Sequence, residues 1–152
     1  MRTRRYPSRE DTIGFLIWEA RRAYYRDFGD LIAAHGIAFG VFPVLRILWD
    51  EDRLTQAEII RRARMSGPTI VGIVAQLEAE GFIHRIQDQA DRRKRMIALT
   101  PVGEALRDTI MPISEDVNRR ALHGFSAEEG RMLKRFLRRL RTNLDHHAEA
   151  RG

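Results

Sequence analysis

Five consecutive residues, Asp91, Arg92, Arg93, Lys94 and Arg95, set four cations behind one carboxylate between two short apolar runs. Guanidinium and ammonium groups at this density perform no covalent chemistry of their own. They bind oxyanions, above all phosphates, and arginine does so through a planar fork that engages two oxygens at once. Arg61, Arg62 and Arg64 form a second cationic group upstream. Covalent chemistry has no comparable signature. There is no Gly-rich phosphate cradle, no Gly-x-Ser-x-Gly and no convincing acid/base pair, so an enzyme is not expected. The five histidines, His35, His84, His123, His146 and His147, lack His-Glu-x-x-His spacing, and no cysteine is available as a thiolate ligand. Neither a metal site nor a cofactor is expected.

At 152 residues the chain fits one domain, 43% apolar and 32% charged. The formal charge of +6 and a pI near 10.6 point to a polyanionic partner. No stretch approaches the roughly 20 apolar residues a transmembrane helix needs. The basic start, Met1 to Pro7, lacks the apolar core of a signal peptide. The expected setting is therefore cytoplasmic, away from membranes. The absence of cysteine removes disulfides and thiol redox sensing from consideration.

The elements that must position the cations are marked by caps and periodicity. Ser8 after Pro7 is expected to cap a first helix, with Glu10 and Asp11 in its opening turn. Ile13, Leu16, Ile17, Ala20, Tyr24, Phe28 and Leu31 then recur at helical spacing, and Gly36 ends the run. A second helix, Phe39 to Trp49, is apolar on more than one face. Thr55-Gln-Ala-Glu58 is a capping box for a short helix through Ala63. Ser66 caps the next, with Gly67 and Pro68 in its first turn, Ile70, Ile73, Val74 and Leu77 as its buried stripe, and Gly81 after it. Phe82 to Gln87 and Met96 to Leu99 read as hairpin strands flanking the cationic turn. Thr100-Pro101 opens a helix that Pro112 is expected to bend or break. Ser126-Ala-Glu-Glu129 is a second capping box, opening the closing helix. The fold class is thus mainly α: a winged helix-turn-helix with a small β-hairpin wing (37–100), between long terminal helices (8–36 and 101–147).

With these elements placed, the chain resembles the MarR family of bacterial transcriptional regulators. The resemblance runs from about Phe39 to Leu106. It is carried by Leu-Thr-Gln-Ala-Glu (54–58), Thr-Ile-Val-Gly-Ile-Val-Ala-Gln-Leu-Glu (69–78), Glu-Gly-Phe-Ile-His-Arg (80–85), Asp-Arg-Arg (91–93) and Ala-Leu-Thr-Pro-Val-Gly (98–103). It implies a homodimer with interleaved first and last helices, a palindromic double-stranded DNA operator and, often, release from DNA by a small aromatic or anionic effector. By the same resemblance Arg93 enters the minor groove and Asp91 holds it. Many relatives carry a polar residue and then arginine where this chain has Val71 and Gly72.

On that reading the helix after Ser66 lies in the major groove, with Pro68, Thr69, Val71, Gly72, Ala75 and Gln76 outward and Ser66 and Thr69 able to bond phosphates or bases. Gln76 can pair with adenine, and Val71 can make only apolar contact. Gly72 is either a point of close backbone approach or a drifted surface position. Arg92, Lys94 and Arg95, with Arg61, Arg62 and Arg64, track phosphates. Ile13, Leu16 and Ile17, with Met132, Leu133, Phe136, Leu137, Leu140 and Leu144, supply the dimer interface. The Arg131, Lys134, Arg135, Arg138, Arg139 and Arg141 series reads as a solvated face. Trp18, Arg22, Tyr25, Phe39 and Phe42 are candidates for an effector pocket. The expected function is a ligand-responsive repressor. The alternative is a winged-helix module that binds protein instead of DNA.

Overall fold

Thr12, not Ser8, opens the first long helix. In this computed structural model, which describes residues 8–149 (side chains through residue 146), Ser8 precedes a 3-10 turn, Arg9–Asp11, and its side chain caps nothing. Thr12 holds an extended backbone and accepts from the Phe15 amide at 3.3 Å, while its hydroxyl donates to the Arg9 carbonyl at 3.0 Å. One hydroxyl therefore satisfies two backbone groups at the junction, which Ser8 cannot do. Glu10 and Asp11 fall before the helix instead of in its first turn. The segment Met1 to Pro7 and the His147 side chain lie outside the described residues.

Helix α1 (Ile13–Ala33) ends as Gly36 predicts. Gly36 takes φ +75°, its amide donates to Ala33, and the Ile37 amide reaches back to Ile32. This Schellman closure brings two fully buried isoleucines together at the helix end. The predicted second helix begins as a 3-10 turn, Phe39–Val41, and becomes α2 at Phe42–Asp50. Helices α3 (Gln56–Ala63) and α4 (Gly67–Ala79) follow. A second Schellman closure, on Gly81 at φ +78°, leads into the hairpin of β2 (Ile83–Gln87) and β3 (Arg95–Leu99).

The sheet has three antiparallel strands in the order β1-β3-β2. Strand β1 is only Leu54–Thr55, pairing Leu54 with Ile97. A two-residue strand carries no periodicity, so it was not foreseen. In the hairpin Ile83 pairs with Leu99 and Gln87 with Arg95, which carries the register out to the cationic turn.

Helix α5 (Pro101–Ala121) continues through Pro112, so the proline does not break it. Pro112 cannot donate to the Asp108 carbonyl, but both residues are exposed, so water can satisfy that oxygen. Buried Ile110 and Val117 hold the helix on either side. The chain divides into two compact units, 1–117 and 118–152. In the second, Gly124 turns the chain at φ +84°, and Ser126 and Glu129 form the reciprocal capping box of α6 (Ala127–Glu149), the Ser126 amide donating to Glu129 at 2.7 Å.

In the first unit one continuous core joins α1 (Phe28, Ile32), α2 (Val44, Leu45, Leu48), α3 (Ile59), α4 (Ile70, Val74, Leu77), the sheet (Ile83, Ile97) and α5 (Ile110, Val117). A polar junction is built into this core. A Cβ on Gly103 would lie 2.0 Å from the Phe82 carbonyl oxygen, and the Gly103 carbonyl accepts the buried Trp49 indole N–H at 2.9 Å. The Thr100 amide also donates to Phe82 at 3.0 Å, and its hydroxyl to Gly81 at 2.7 Å. Backbone faces backbone here, so no side chain can yield to an added methyl. Gly103→Ala is therefore expected to destabilise the protein by about 3 kcal/mol. Chemical denaturation checks this; an unchanged midpoint would show that the α5 start can shift freely.

Candidate nucleic-acid interface

The reciprocal capping box at Thr55 and Glu58 is formed in full. The Glu58 carboxylate accepts the Thr55 amide and hydroxyl, each at 2.7 Å, and the Glu58 amide donates back to Thr55. The Thr55 hydroxyl, then the Thr55 amide, hold the Glu58 carboxyl below its ordinary range. At the other end of α3, Arg64 adopts the left-handed conformation, φ 53° and ψ 38°. For a side-chain-bearing residue this costs roughly 1–2 kcal/mol. It produces the abrupt reversal between the paired helices.

Ser66 then caps α4, accepting from the Thr69 amide at 3.3 Å. The predicted stripe of Ile70, Ile73, Val74 and Leu77 is buried, which turns Ser66, Pro68, Thr69, Val71, Gly72 and Gln76 to the exposed side. The two-helix unit is therefore arranged as the spacing predicts, with one face in the core and the other open.

The hairpin tip is ordered by its own carboxylates. Asp88 accepts the amides of Ala90 at 2.7 Å and Asp91 at 3.1 Å. The Asp88 amide donates to Lys94, and the Lys94 amide to Asp91, closing the tip on itself. These donors, Asp91 first and Ala90 second, hold the Asp88 carboxyl below its ordinary range. Asp91 accepts both the backbone amide and the Nε of Arg93, at 3.1 and 3.2 Å. The Arg93 side chain remains 93% exposed, aimed and oriented by a carboxylate yet open to solvent. Arg92, Lys94 and Arg95 are exposed beside it.

The upstream arginines are less uniform. Arg61 and Arg64 are exposed, but Arg62 is only 29% exposed and pairs with Glu51 at 2.7 Å. Two contributors escaped the sequence reading. Asp88 braces the tip, and its signal was available: an Asx residue two positions before Ala90, within a turn. Arg85, on β2, pairs with Glu78 of α4 at 3.2 Å and ties the wing to the exposed helix. Only the placing of β2 beside α4 reveals it.

The remaining predicted residues fall in separate places. Tyr25, Phe39 and Phe42 join an aromatic cluster around buried Phe28, with ring centroids of 4.0 Å between Tyr25 and Phe39 and 4.7 Å between Phe28 and Phe42. Trp18 is half exposed, with the Arg22 guanidinium 5.6 Å from its ring centre. Tyr24 nearby has its hydroxyl pushed up by burial, against a hydrogen bond with Ser114. Ile13, Leu16 and Ile17 on α1 are exposed, as are Met132, Leu133, Phe136, Leu137 and Leu144 on α6, while Leu140 is half-buried. Of the cationic α6 series, Arg135 and Arg139 flank the Phe136 ring at 5.5 and 5.9 Å. Among the described residues no helix is long and apolar enough to cross a membrane.

Residues 41–94, from the last residue of the turn before α2 to the cationic tip, match the model of the MarR family. The chain is 29% identical over 143 residues to the HTH-type transcriptional regulator TtmR of Methylorubrum extorquens (strain PA1), covering 94% of this chain and 71% of that protein. It is 26% identical over 127 residues to the homoprotocatechuate degradative operon repressor of Escherichia coli, covering 84% of this chain and 86% of that one. A probable transcriptional regulator from Pseudomonas aeruginosa shares the fold with a TM-score of 0.80 at 29% identity, over 88% of this chain and 99% of its own. By the match over residues 41–94 and these likenesses along most of its length, the chain is similar to transcriptional regulators of the MarR family.

Proposed function

We propose that this protein is a sequence-specific DNA-binding transcriptional regulator that represses from a palindromic operator as a homodimer and is released by a small aromatic or anionic effector. The observation that carries the reading is the pairing of α4, whose stripe is buried and whose other face is open, with a wing that presents an oriented, solvent-exposed Arg93. A major groove admits a helix, and an adjacent minor groove attracts a guanidinium where it narrows. Arg61, Arg64, Arg92, Lys94 and Arg95 then hold phosphates and fix the register. Arg62 contributes by exchanging Glu51 for a phosphate. No catalytic step is required, and the place of action is the cytoplasm, where the duplex lies.

The homodimer is supported by the exposed apolar residues of α1 and α6, which water does not favour. Two-fold symmetry then spaces the α4 helices by roughly 34–36 Å, one turn of DNA. Repression is supported by the relative whose name records a repressor of a homoprotocatechuate degradative operon. The aromatic cluster of Tyr25, Phe39 and Phe42, with Trp18 and Arg22 on the same helix as Tyr25, is the assigned effector region. Its rings suit an aromatic body and its arginine a carboxylate.

Retention on duplex DNA across a salt series tests the core of the proposal. Each phosphate neutralised adds about −0.9 to the log–log slope, and elution at low salt with no slope would favour a protein-binding module instead. Arg93→Ala is expected to weaken operator binding about ten-fold, one good base-edge or groove contact, with the dimer intact by sedimentation; unchanged affinity would show that the wing is not used.

Asp88→Ala is expected to speed amide exchange at Ala90 and Asp91 and to weaken DNA binding while leaving the melting temperature within about 2 °C, as befits an exposed loop. The Asp88 carboxyl is depressed in the folded state, so its bracing is complete above the unfolded value near about 4 and is lost as pH falls through the lower folded value. Exchange at these two amides should therefore be protected at neutral pH and released only in acid. Loss of protection between pH 5 and 7 would contradict the assignment. Phenylacetic and benzoic acid derivatives are expected to raise the melting temperature and release the operator. The double change Trp18→Ala, Arg22→Ala should abolish both effects, and a full response in that variant would place the effector elsewhere.

A further inference from the structure

Proteins ordinarily read base edges in the major groove with bidentate arginine, lysine, asparagine or glutamine. On α4 the polar groups of the exposed side already engage one another. The Ser66 and Thr69 hydroxyls are 2.6 Å apart, and the Gln76 amide donates to Glu80 at 2.9 Å. Between them Val71 is 47% exposed, although Ile70, Ile73, Val74 and Leu77 already supply the buried contacts of this helix. Next to it, a Cβ added to Gly72 would meet no atom within 4 Å, so the fold itself does not demand glycine. Both choices work against the isolated helix: glycine in its middle costs roughly 0.5–1 kcal/mol relative to alanine, and a β-branched side chain loses rotamer freedom there. A surface that closes at short range on an apolar group accounts for both.

Among the base-edge groups of the major groove, the apolar one is the C5-methyl of thymine. We infer that Val71 is the specificity-determining residue of α4, packing its methyl groups on a thymine methyl in each half-site, and that Gly72 provides the clearance that lets the helix backbone come close enough for this contact. The inference rests on the DNA-binding reading above and adds to it the base chemistry that is read. Hydrogen-bond complementarity contributes little at this position, so discrimination comes from removing two apolar surfaces from water.

The experiment uses the full-length protein. Duplexes are enriched from a random pool, the half-site is defined, and each thymine in it is replaced singly by uracil, which removes the methyl and nothing else. At one thymine per half-site the affinity is expected to fall about four-fold, the factor for burying one methyl-sized group. Val71→Ala should bind the thymine and uracil duplexes equally, which identifies the partner by non-additivity. Gly72→Ala should weaken binding to every duplex while its melting temperature stays level or rises. Affinity unchanged by uracil at every position, uracil sensitivity that persists in Val71→Ala, or full affinity in Gly72→Ala would each overturn the inference, even with salt-dependent binding to the enriched duplex intact. A pool that yields no enriched duplex and no salt-dependent retention would overturn the DNA-binding reading, and this inference with it.

Discussion

Two stretches of main chain, at Gly103 and Phe82, lie so close that no Cβ fits between them, and the placing of α4 and the wing depends on it. The Phe82 carbonyl occupies the place where any other residue at 103 would carry its Cβ, and the Trp49 indole fastens the same peptide from the opposite element. Gly81 and Phe82 end α4 and begin β2; Thr100 and Gly103 end β3 and begin α5. The junction therefore fixes four things together: the exit of the exposed helix, the root of the wing, the end of α2 and the start of the long helix. A van der Waals core alone tolerates small slips between elements, because methyl groups repack. A buried hydrogen bond with a steric stop does not.

The charge distribution follows a similar economy. The chain carries +6, but many cations have local work. Arg46 pairs with Asp50, Arg62 with Glu51, Arg85 with Glu78 and Arg141 with Asp145. Exposed ion pairs of this kind contribute little to stability, of order 0–1 kcal/mol. Their effect is to orient side chains and to spread the positive potential unevenly. At the wing a single carboxylate, Asp91, aims one arginine without burying it.

Much of this was legible from residue types. Thr55 and Ser126 cap helices with a glutamate three residues on, and Ser66 and Thr100 cap helices that carry a proline in the first turn, patterns with few other uses. The buried stripe of α4 was equally plain, since Ile70, Ile73, Val74 and Leu77 keep helical period with no competing apolar face except Val71. The failures have physical causes as well. Two hydroxyls, Ser8 and Thr12, compete to open α1, and the winner is decided by which can also satisfy a preceding carbonyl. Pro112 does not break α5, where the Asp108 carbonyl it leaves without a donor belongs to an exposed residue. Strand β1 depends on register, which pairs Leu54 with the distant Ile97, and the Arg85–Glu78 link depends on how β2 turns back beside α4. The left-handed Arg64 bears no mark in its residue type, because glycine or asparagine is the usual choice.

The closed hydrogen-bond circuit at the wing tip has a kinetic corollary. Holding one residue's backbone in a single conformation costs roughly 1–2 kcal/mol of entropy, and a slack loop would meet that cost on arrival at its target. Here Asp88 and Asp91 settle residues 88 to 94 during folding. If the wing meets its target as proposed, each encounter begins with the loop already shaped, so a larger share of collisions is productive and the loop imposes no waiting step of its own.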